Sequence, residues 1–213
     1  PVAVQIDWIF DDGNSGVQGS GGALSGTGVT TINIAAVNDA PVVVAPAGPL
    51  SATENQWTAI EGTGFSLSDV DAASGVLLMT LDVTQGYLTV GLGDSGVGIV
   101  SGNITGTVVL SGTVAQLNLL IAGSSTGFVR YVPNIDVPNA TTTLTITVND
   151  QGNTGTDPGL TANGSSEEHS ASVLINITAV NDSPTFLNLD GNPTYTEGGS
   201  SVVLDSDVTI SDP

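Results

Sequence analysis

Almost every side chain able to do chemistry in this chain is a carboxylate. There are 16 Asp and five Glu against one Arg (Arg130), one His (His169), no Lys and no Cys. That stock suits hard-cation binding. Ca2+ takes ~6–8 oxygens from carboxylates, amide and backbone carbonyls and water, and short Asp side chains in Gly/Asn/Ser loops hold such oxygens close to the backbone. Other chemistries are poorly served. Thiol and thiolate-metal chemistry need Cys, and one His without Lys leaves little for acid–base work or phosphate clamping. A lone cation can neutralise neither a nucleic-acid backbone nor an anionic membrane surface.

Spacing narrows the set. Asn38 and Asp39 lie just before Pro41, which keeps the preceding backbone extended or turned. Asp69 and Asp71, two residues apart, point the same way on an extended backbone. Acids gathered this closely, with almost no basic partner, repel one another, which is itself a reason to expect a bound cation. Scattered acids such as Asp82, Asp94, Asp136 and Asp157, and the Glu167–Glu168 pair beside His169, are expected to be solvated.

The elements that position these residues recur. Ala36-Val37-Asn38-Asp39-Ala40-Pro41 returns 143 residues later as Ala179-Val180-Asn181-Asp182-Ser183-Pro184. Thr53-Glu54 returns as Thr196-Glu197 and Leu67-Ser68-Asp69 as Ile210-Ser211-Asp212, both at the same offset. Asp12-Gly13-Asn14 resembles Asp150-Gln151-Gly152 at an offset of 138, so a loop between differs in length. Repeats of this kind set the architecture. They predict the C-terminal part of one repeat at 1–38, a complete repeat at 39–181 and the N-terminal part of a third at 182–213. With no initiator Met at Pro1, the chain is expected to be an excerpt of a longer protein.

Within the complete repeat the pattern is β. Segments Trp57–Ile60, Phe65–Leu67, Val76–Val83, Tyr87–Val90, Thr107–Leu110, Phe128–Val132, Thr142–Val148 and Ala171–Thr178 are rich in Val, Ile, Thr and Leu and bounded by turn residues. Leu144-Thr145-Ile146-Thr147-Val148 alternates strictly, as a half-buried strand does. Thr113 is a candidate N-cap for a short helix over the following residues, with Gly123 beyond its end. An antiparallel sandwich follows. In 213 residues of net charge −20, a hydrophobic content of 39% excludes a disordered acidic tail, and no apolar run approaches the ~18 residues of a membrane span.

The recurring residues also carry a family resemblance. Val37-Asn38-Asp39-Ala40-Pro41 resembles the junction of tandem cadherin-like repeats in large bacterial surface adhesins. Thr53-Glu54-Asn55, Ser68-Asp69-Val70-Asp71-Ala72, Tyr131-Val132-Pro133-Asn134 and Val148-Asn149-Asp150 follow in that family's order. Gly112 to Asn134 is similar to the chondroitin-sulfate-proteoglycan type of these repeats. The resemblance implies all-β, tandem cadherin-like Greek-key β-sandwich domains with one short helix per repeat, secretion to the cell surface, and Ca2+ where consecutive domains meet. Carried over residue by residue, it implies a first junction of Asn38, Asp39, Asp69, Asp71 and Asp150, with Asn149 weaker. It implies a second junction of Glu54, Asn181, Asp182 and Asp212. Asp12 matches Asp150. The chain departs from cadherins proper where Arg130-Tyr131-Val132-Pro133 stands in place of an acidic motif.

Sharper motifs dissolve on inspection. Gly91-Leu92-Gly93-Asp94-Ser95-Gly96 fits a dinucleotide fingerprint, but the Gly-rich, β-branched stretch after it cannot supply the helix such a site needs, so a hairpin loop is expected. A protease reading of Gly93-Asp94-Ser95-Gly96 fails because His169 lies far downstream. Trp8, Trp57, Tyr87 and Phe128 are expected in the core rather than on a sugar-stacking platform. The Asn103, Asn139, Asn163 and Asn176 sequons carry little weight.

The leading expectation is a non-catalytic extracellular module, stiffened by Ca2+ at its junctions and serving as a spacer in a surface fibre. Its partners are neighbouring repeats of the same chain and other copies in a fibre, with glycan or protein ligands reached through distal domains. Nucleic acid and membrane insertion are not expected. The alternatives are a carbohydrate- or protein-binding domain using the Gln151–Ser170 loop, and a filament subunit completed by strand exchange.

Overall fold

The computed structural model describes residues 2–14, 19–134, 136, 138–160 and 166–212; the Asn163 sequon and the middle of the Gln151–Ser170 loop lie outside them. In chain order the elements are β1 (Val2–Asp11), β2 (Ser25–Ile34), β3 (Val42–Val44), β4 (Leu50–Thr53), β5 (Thr58–Ala59), β6 (Ser66–Ser68), β7 (Leu77–Val83), β8 (Tyr87–Gly91), β9 (Gly98–Ser101), β10 (Thr107–Gly112), α1 (Val114–Ile121), β11 (Phe128–Val132), β12 (Thr141–Asn149), β13 (Glu168–Thr178), β14 (Thr185–Leu187) and β15 (Thr209–Ser211). Among the described residues the chain is all-β with one short helix, as its sequence pattern predicts.

Residues 39–178 form a sandwich. One layer is a six-stranded sheet in the order β4-β13-β12-β7-β10-β9, and the other comprises the three-stranded β5-β11-β8 and the pair β3-β6. Alternation drives the packing. Leu77, Met79, Leu81 and Val83 of β7, and Leu144, Ile146 and Val148 of β12, point into one core, where Leu88, Val129, Tyr131, Leu67 and Val43 meet them from the second layer. Full burial of such a side chain is worth ~1.5–3 kcal/mol before entropy is counted. Helix α1 closes one side through Leu117, Leu120 and Ile121. Its start is a complete capping box: Thr113 Oγ1 accepts from Gln116 N, and the Gln116 side chain accepts from Thr113 N.

Among the described residues the strand ladders are antiparallel with one exception, and one isolated bridge, Val37 to Thr156, is also parallel. The chain leaves β3, passes Pro46 and Pro49, and returns as β4 on the opposite layer, where it pairs parallel to β13. The Gly91–Gly96 loop is likewise not a hairpin: it carries the chain from β8 in one layer to β9 in the other.

The ladders recur at the sequence offset. β14-β15 pairs Thr185 with Ser211, 143 residues on from the Val42–Ser68 pair of β3-β6. β1-β2 pairs Ala3 with Asn33, as β12-β13 pairs Thr141 with Asn176. Every residue of β1 and β2 is exposed, including Trp8 at 47%. Trp57 is 58% exposed and Tyr87 and Phe128 are only half-buried. The expectation that these four aromatics fill the core is therefore corrected. β8 and β11 give their inward positions to Leu88, Val90, Val129 and Tyr131, which leaves Tyr87 and Phe128 on the outer face.

Candidate metal centres

The first junction is built around Asp150, at the end of β12 and fully buried. Its Oδ1 accepts from Gly152 N at 2.8 Å and Glu167 N at 2.8 Å, and its Oδ2 accepts from Asn38 Nδ2. The linker is stitched to the same loop: Asn38 N donates to Thr156 O and Thr156 N to Ala36 O, both at 3.0 Å. Gly155 permits this approach. Its φ is +104°, and a Cβ there would stand 2.5 Å from the Val37 carbonyl carbon.

Asp69 and Asp71 follow β6. Asp69 Oδ1 accepts from Asp71 N at 3.1 Å and Ala72 N at 3.0 Å, an Asx-turn. Asp71 Oδ2 accepts from Asp39 N at 2.8 Å. These bonds join Asp39, Asp69 and Asp71, and Asn38 to Asp150. They leave three buried oxygens, Asn38 Oδ1, Asp69 Oδ2 and Asp71 Oδ1, without any hydrogen-bond partner among the described residues. Burial, and then the neighbouring Asp71 carboxylate, push the Asp69 carboxyl above the usual carboxylate range.

The second junction is centred on Glu54, which is buried just after β4. Its Oε2 accepts from Val180 N at 2.7 Å, while its Oε1 has no partner among the described residues. Glu54, Asp136 and Asp182 each bring one carboxylate oxygen within 4.8 Å of the others. Asp182 Oδ2 is a further buried oxygen without a partner. Its carboxyl is raised by burial, then by the charges of Glu54, Asp136 and Asp212. Asn181 stands outside this group: it is exposed, and its Nδ2 donates to Asp182 O.

Of the acids expected in solvent, Glu167 is buried, and Asp136, exposed as expected, stands in an acidic cluster. Glu167 donates its N–H to Asp150 and accepts from Leu160 N through Oε1. Asn149 is occupied in its own turn, where Oδ1 accepts from Gln151 N. Asp12 repeats the Asp150 turn, with Oδ1 accepting from Asn14 N and Leu24 N, and these bonds hold its carboxyl below the usual range.

A further acidic group, Asp190, Asp205 and Asp207, is a contrast. Asp205 accepts from three backbone N–H groups, which lower its pKa and satisfy its oxygens. The positions 143 residues earlier are Ala47, Gly62 and Gly64, so these acids are no part of the repeat.

The fold is an all-β sandwich with acidic, oxygen-rich clusters at two of its linking segments. No family model matches the chain, and no curated protein matches it. Solved structures similar to it include protocadherin extracellular domains. Protocadherin gamma B2 extracellular domains 3–6 matches at 15% identity, with a TM-score of 0.41, over 99% of this chain and 42% of that one. A protocadherin gammaB7 EC3–6 cis-dimer matches at 16% identity with a TM-score of 0.41, and the protocadherin gammaB4 extracellular domain at 16% with 0.36. The chain spans less than half the length of each of these structures. Among the described residues no helix is long and apolar enough to cross a membrane.

Proposed function

We propose that this chain is a stretch of a non-catalytic, extracellular tandem-repeat protein, a spacer of the bacterial-adhesin type whose cadherin-like domains are coupled by Ca2+ at their junctions. One observation carries the reading. Five buried carboxylate or amide oxygens lack a hydrogen-bond partner among the described residues, and they belong to Asn38, Glu54, Asp69, Asp71 and Asp182. Those residues are members of the ligand set that the sequence resemblance implies. An orphaned buried acceptor costs about 1–3 kcal/mol, and a hard oxygen is what Ca2+ coordinates.

The donor chemistry therefore fits. Asn38, Asp39, Asp69, Asp71 and Asp150 would hold the ion at the first junction. Glu54, Asp182 and Asp212, with Asp136 added and Asn181 at the rim, would hold it at the second. Bound there, Ca2+ supplies positive charge that offsets the carboxylate repulsion and joins the linker to the domain loops. The protein's own part is to keep the linker in place: Asn38 locks to Asp150, Asp39 to Asp71, and Glu54 to the backbone of Val180. The matching β1-β2 and β14-β15 ladders support a division at 1–38, 39–181 and 182–213.

Affinity in the range of extracellular modules is roughly 10⁻⁴ to 10⁻³ M. At tenfold excess over such a constant, each site adds about 1.4 kcal/mol of apparent stability. Small-angle scattering and thermal melts in millimolar calcium and in excess chelator test the reading. Calcium should lengthen the maximum dimension and raise the melting temperature; identical profiles and melts overturn it.

A further inference from the structure

The only Lys or Arg in a chain of net charge −20 pairs with no acid among the described residues. Arg130, on the outer face of β11, lies between two aromatic rings, its Cζ 4.0 Å from the Trp57 ring centre and 4.3 Å from that of Phe128. Its Nε is buried and finds no acceptor among the described residues, and no ion pair to the side chain is found there. A guanidinium stacked on rings directs its N–H donors outward in the plane of the stack.

The arrangement is built by the sheet. Arg130 is in register with Ala59 of β5 and Thr89 of β8. Phe128 lies over Gly91, where a Cβ would come within 2.4 Å of its ring. Tyr87, Thr89 and Asn55 complete an open depression of about 320 Å³ with the stacked residues, at the small end of ligand sites (~300–1,000 Å³). Here an exposed Trp and a half-buried Tyr offer apolar faces, a hydroxyl and an amide offer neutral hydrogen bonds, and one fixed cation offers a charged fork.

We propose that this face binds a pyranose bearing one carboxylate, such as a terminal uronic acid of a glycan. The apolar face of the sugar stacks on Trp57 and Tyr87, its hydroxyls meet Thr89 and Asn55, and its carboxylate is held by Arg130. Net charge decides the occupant's size. Surrounding acids repel a polyanion, whereas a single carboxylate at contact range is shielded from charges beyond the ~10 Å screening length of 0.1 M salt. An acidic peptide would satisfy the cation but would leave the aromatic faces and the two neutral donors unused.

The test follows the indole N–H of Trp57 and the Nε–H of Arg130 by NMR in the whole chain with calcium present. The probes are methyl glucuronide, methyl glucoside and a short Asp-rich peptide. The glucuronide should move both signals saturably and bind about tenfold or more tighter than the glucoside. Arg130→Gln should bring the glucuronide down to the glucoside's affinity, and Trp57→Ala should weaken both sugars. Arg130→Lys, which keeps the charge but not the fork, should also lose most of the preference, so a poorly folded Gln variant leaves the proposal testable. Glucuronide affinity should be the same in calcium and in excess chelator, which separates this site from the metal junctions. Equal affinity for the two sugars overturns the proposal. So does tighter binding of the peptide, or an unmoved Trp57 signal.

Discussion

The two acidic groupings hold complementary parts of the ligand set that the sequence resemblance implies. The first has its linker closed against the domain that follows: Asn38 is 2% exposed and bonded to Asp150, and Asp39 is tied to Asp71. The second has its linker held from the domain before it, where buried Glu54 grips Val180 and faces Asp136 and Asp182. At the 143-residue offset, the second junction's equivalents of Asp71 and Asp150 would fall beyond residue 213, and the first junction's equivalent of Glu54 would fall before residue 1. Asp39 and Asp182 are the shared member. The lesson is a division of labour. Loops after β6 and β12 form a seat for the first linker, and the end of β4 with Asp136 forms a more open acidic mouth at the second.

The largest effect should come from breaking the seat. Asp150→Ala strips three donors, Asn38 Nδ2, Gly152 N and Glu167 N, of their buried acceptor. A loss of about 3–5 kcal/mol is expected in chelator, lowering the melting temperature by about 10 °C, with a further loss in calcium because a ligand goes too. A loss seen only in calcium would mean that Asp150 acts as a ligand and forms no seat.

Next comes Asp69→Asn, whose effect should change sign with the metal. The amide keeps the Oδ1 that accepts from Asp71 N and Ala72 N and replaces a desolvated charge next to Asp71. In chelator at pH 7 the variant should melt at or above the parent, whereas in calcium it should forfeit the gain from the first junction. The pH dependence sharpens this. Asp69 and Asp182 have folded pKa values raised above 3.8. Their contribution to stability is therefore present below that value and lost as pH rises through the raised one. The chelated parent should lose melting temperature between pH 4 and pH 7, Asp69→Asn should lose less, and calcium should flatten or reverse the trend because its ligands must be deprotonated.

The smallest effect belongs to the mouth. Asp136→Asn, at an exposed position, should weaken calcium binding by a few-fold at the second junction with little change in chelator. Titration calorimetry of the variant against the parent measures it.

Much of this fold is written in periodicity. Leu144–Val148 alternates over a long, central strand, and Thr113 with Gln116 announces α1. Short edge strands left no such mark: Val42–Val44 and Leu50–Thr53 flank Pro46 and Pro49, and Gly98–Ser101 opens on glycine, too few residues for a pattern to emerge. Outward aromatics were misplaced for a related reason, since composition cannot tell which face of β8 or β11 meets the core. In the candidate site, recurrence made Asn38, Asp39 and Asp69 visible through their copies. It hid Asp136, whose counterpart falls outside the chain, and Glu167, whose counterpart in the Asp12 turn is Leu24. In both turns the position is held through its backbone N–H, so the side chain is free to vary.

The most direct test is a calcium titration followed through the carboxyl carbons of Asp and Glu by NMR. Carboxyl signals of Glu54, Asp69, Asp71 and Asp182 should shift together and saturate at about millimolar calcium, while those of Asp94 and Asp205, already satisfied by hydrogen bonds, stay in place. A uniform, unsaturating drift of every carboxylate, matched by an equal ionic strength of sodium chloride, would contradict metal-coupled junctions.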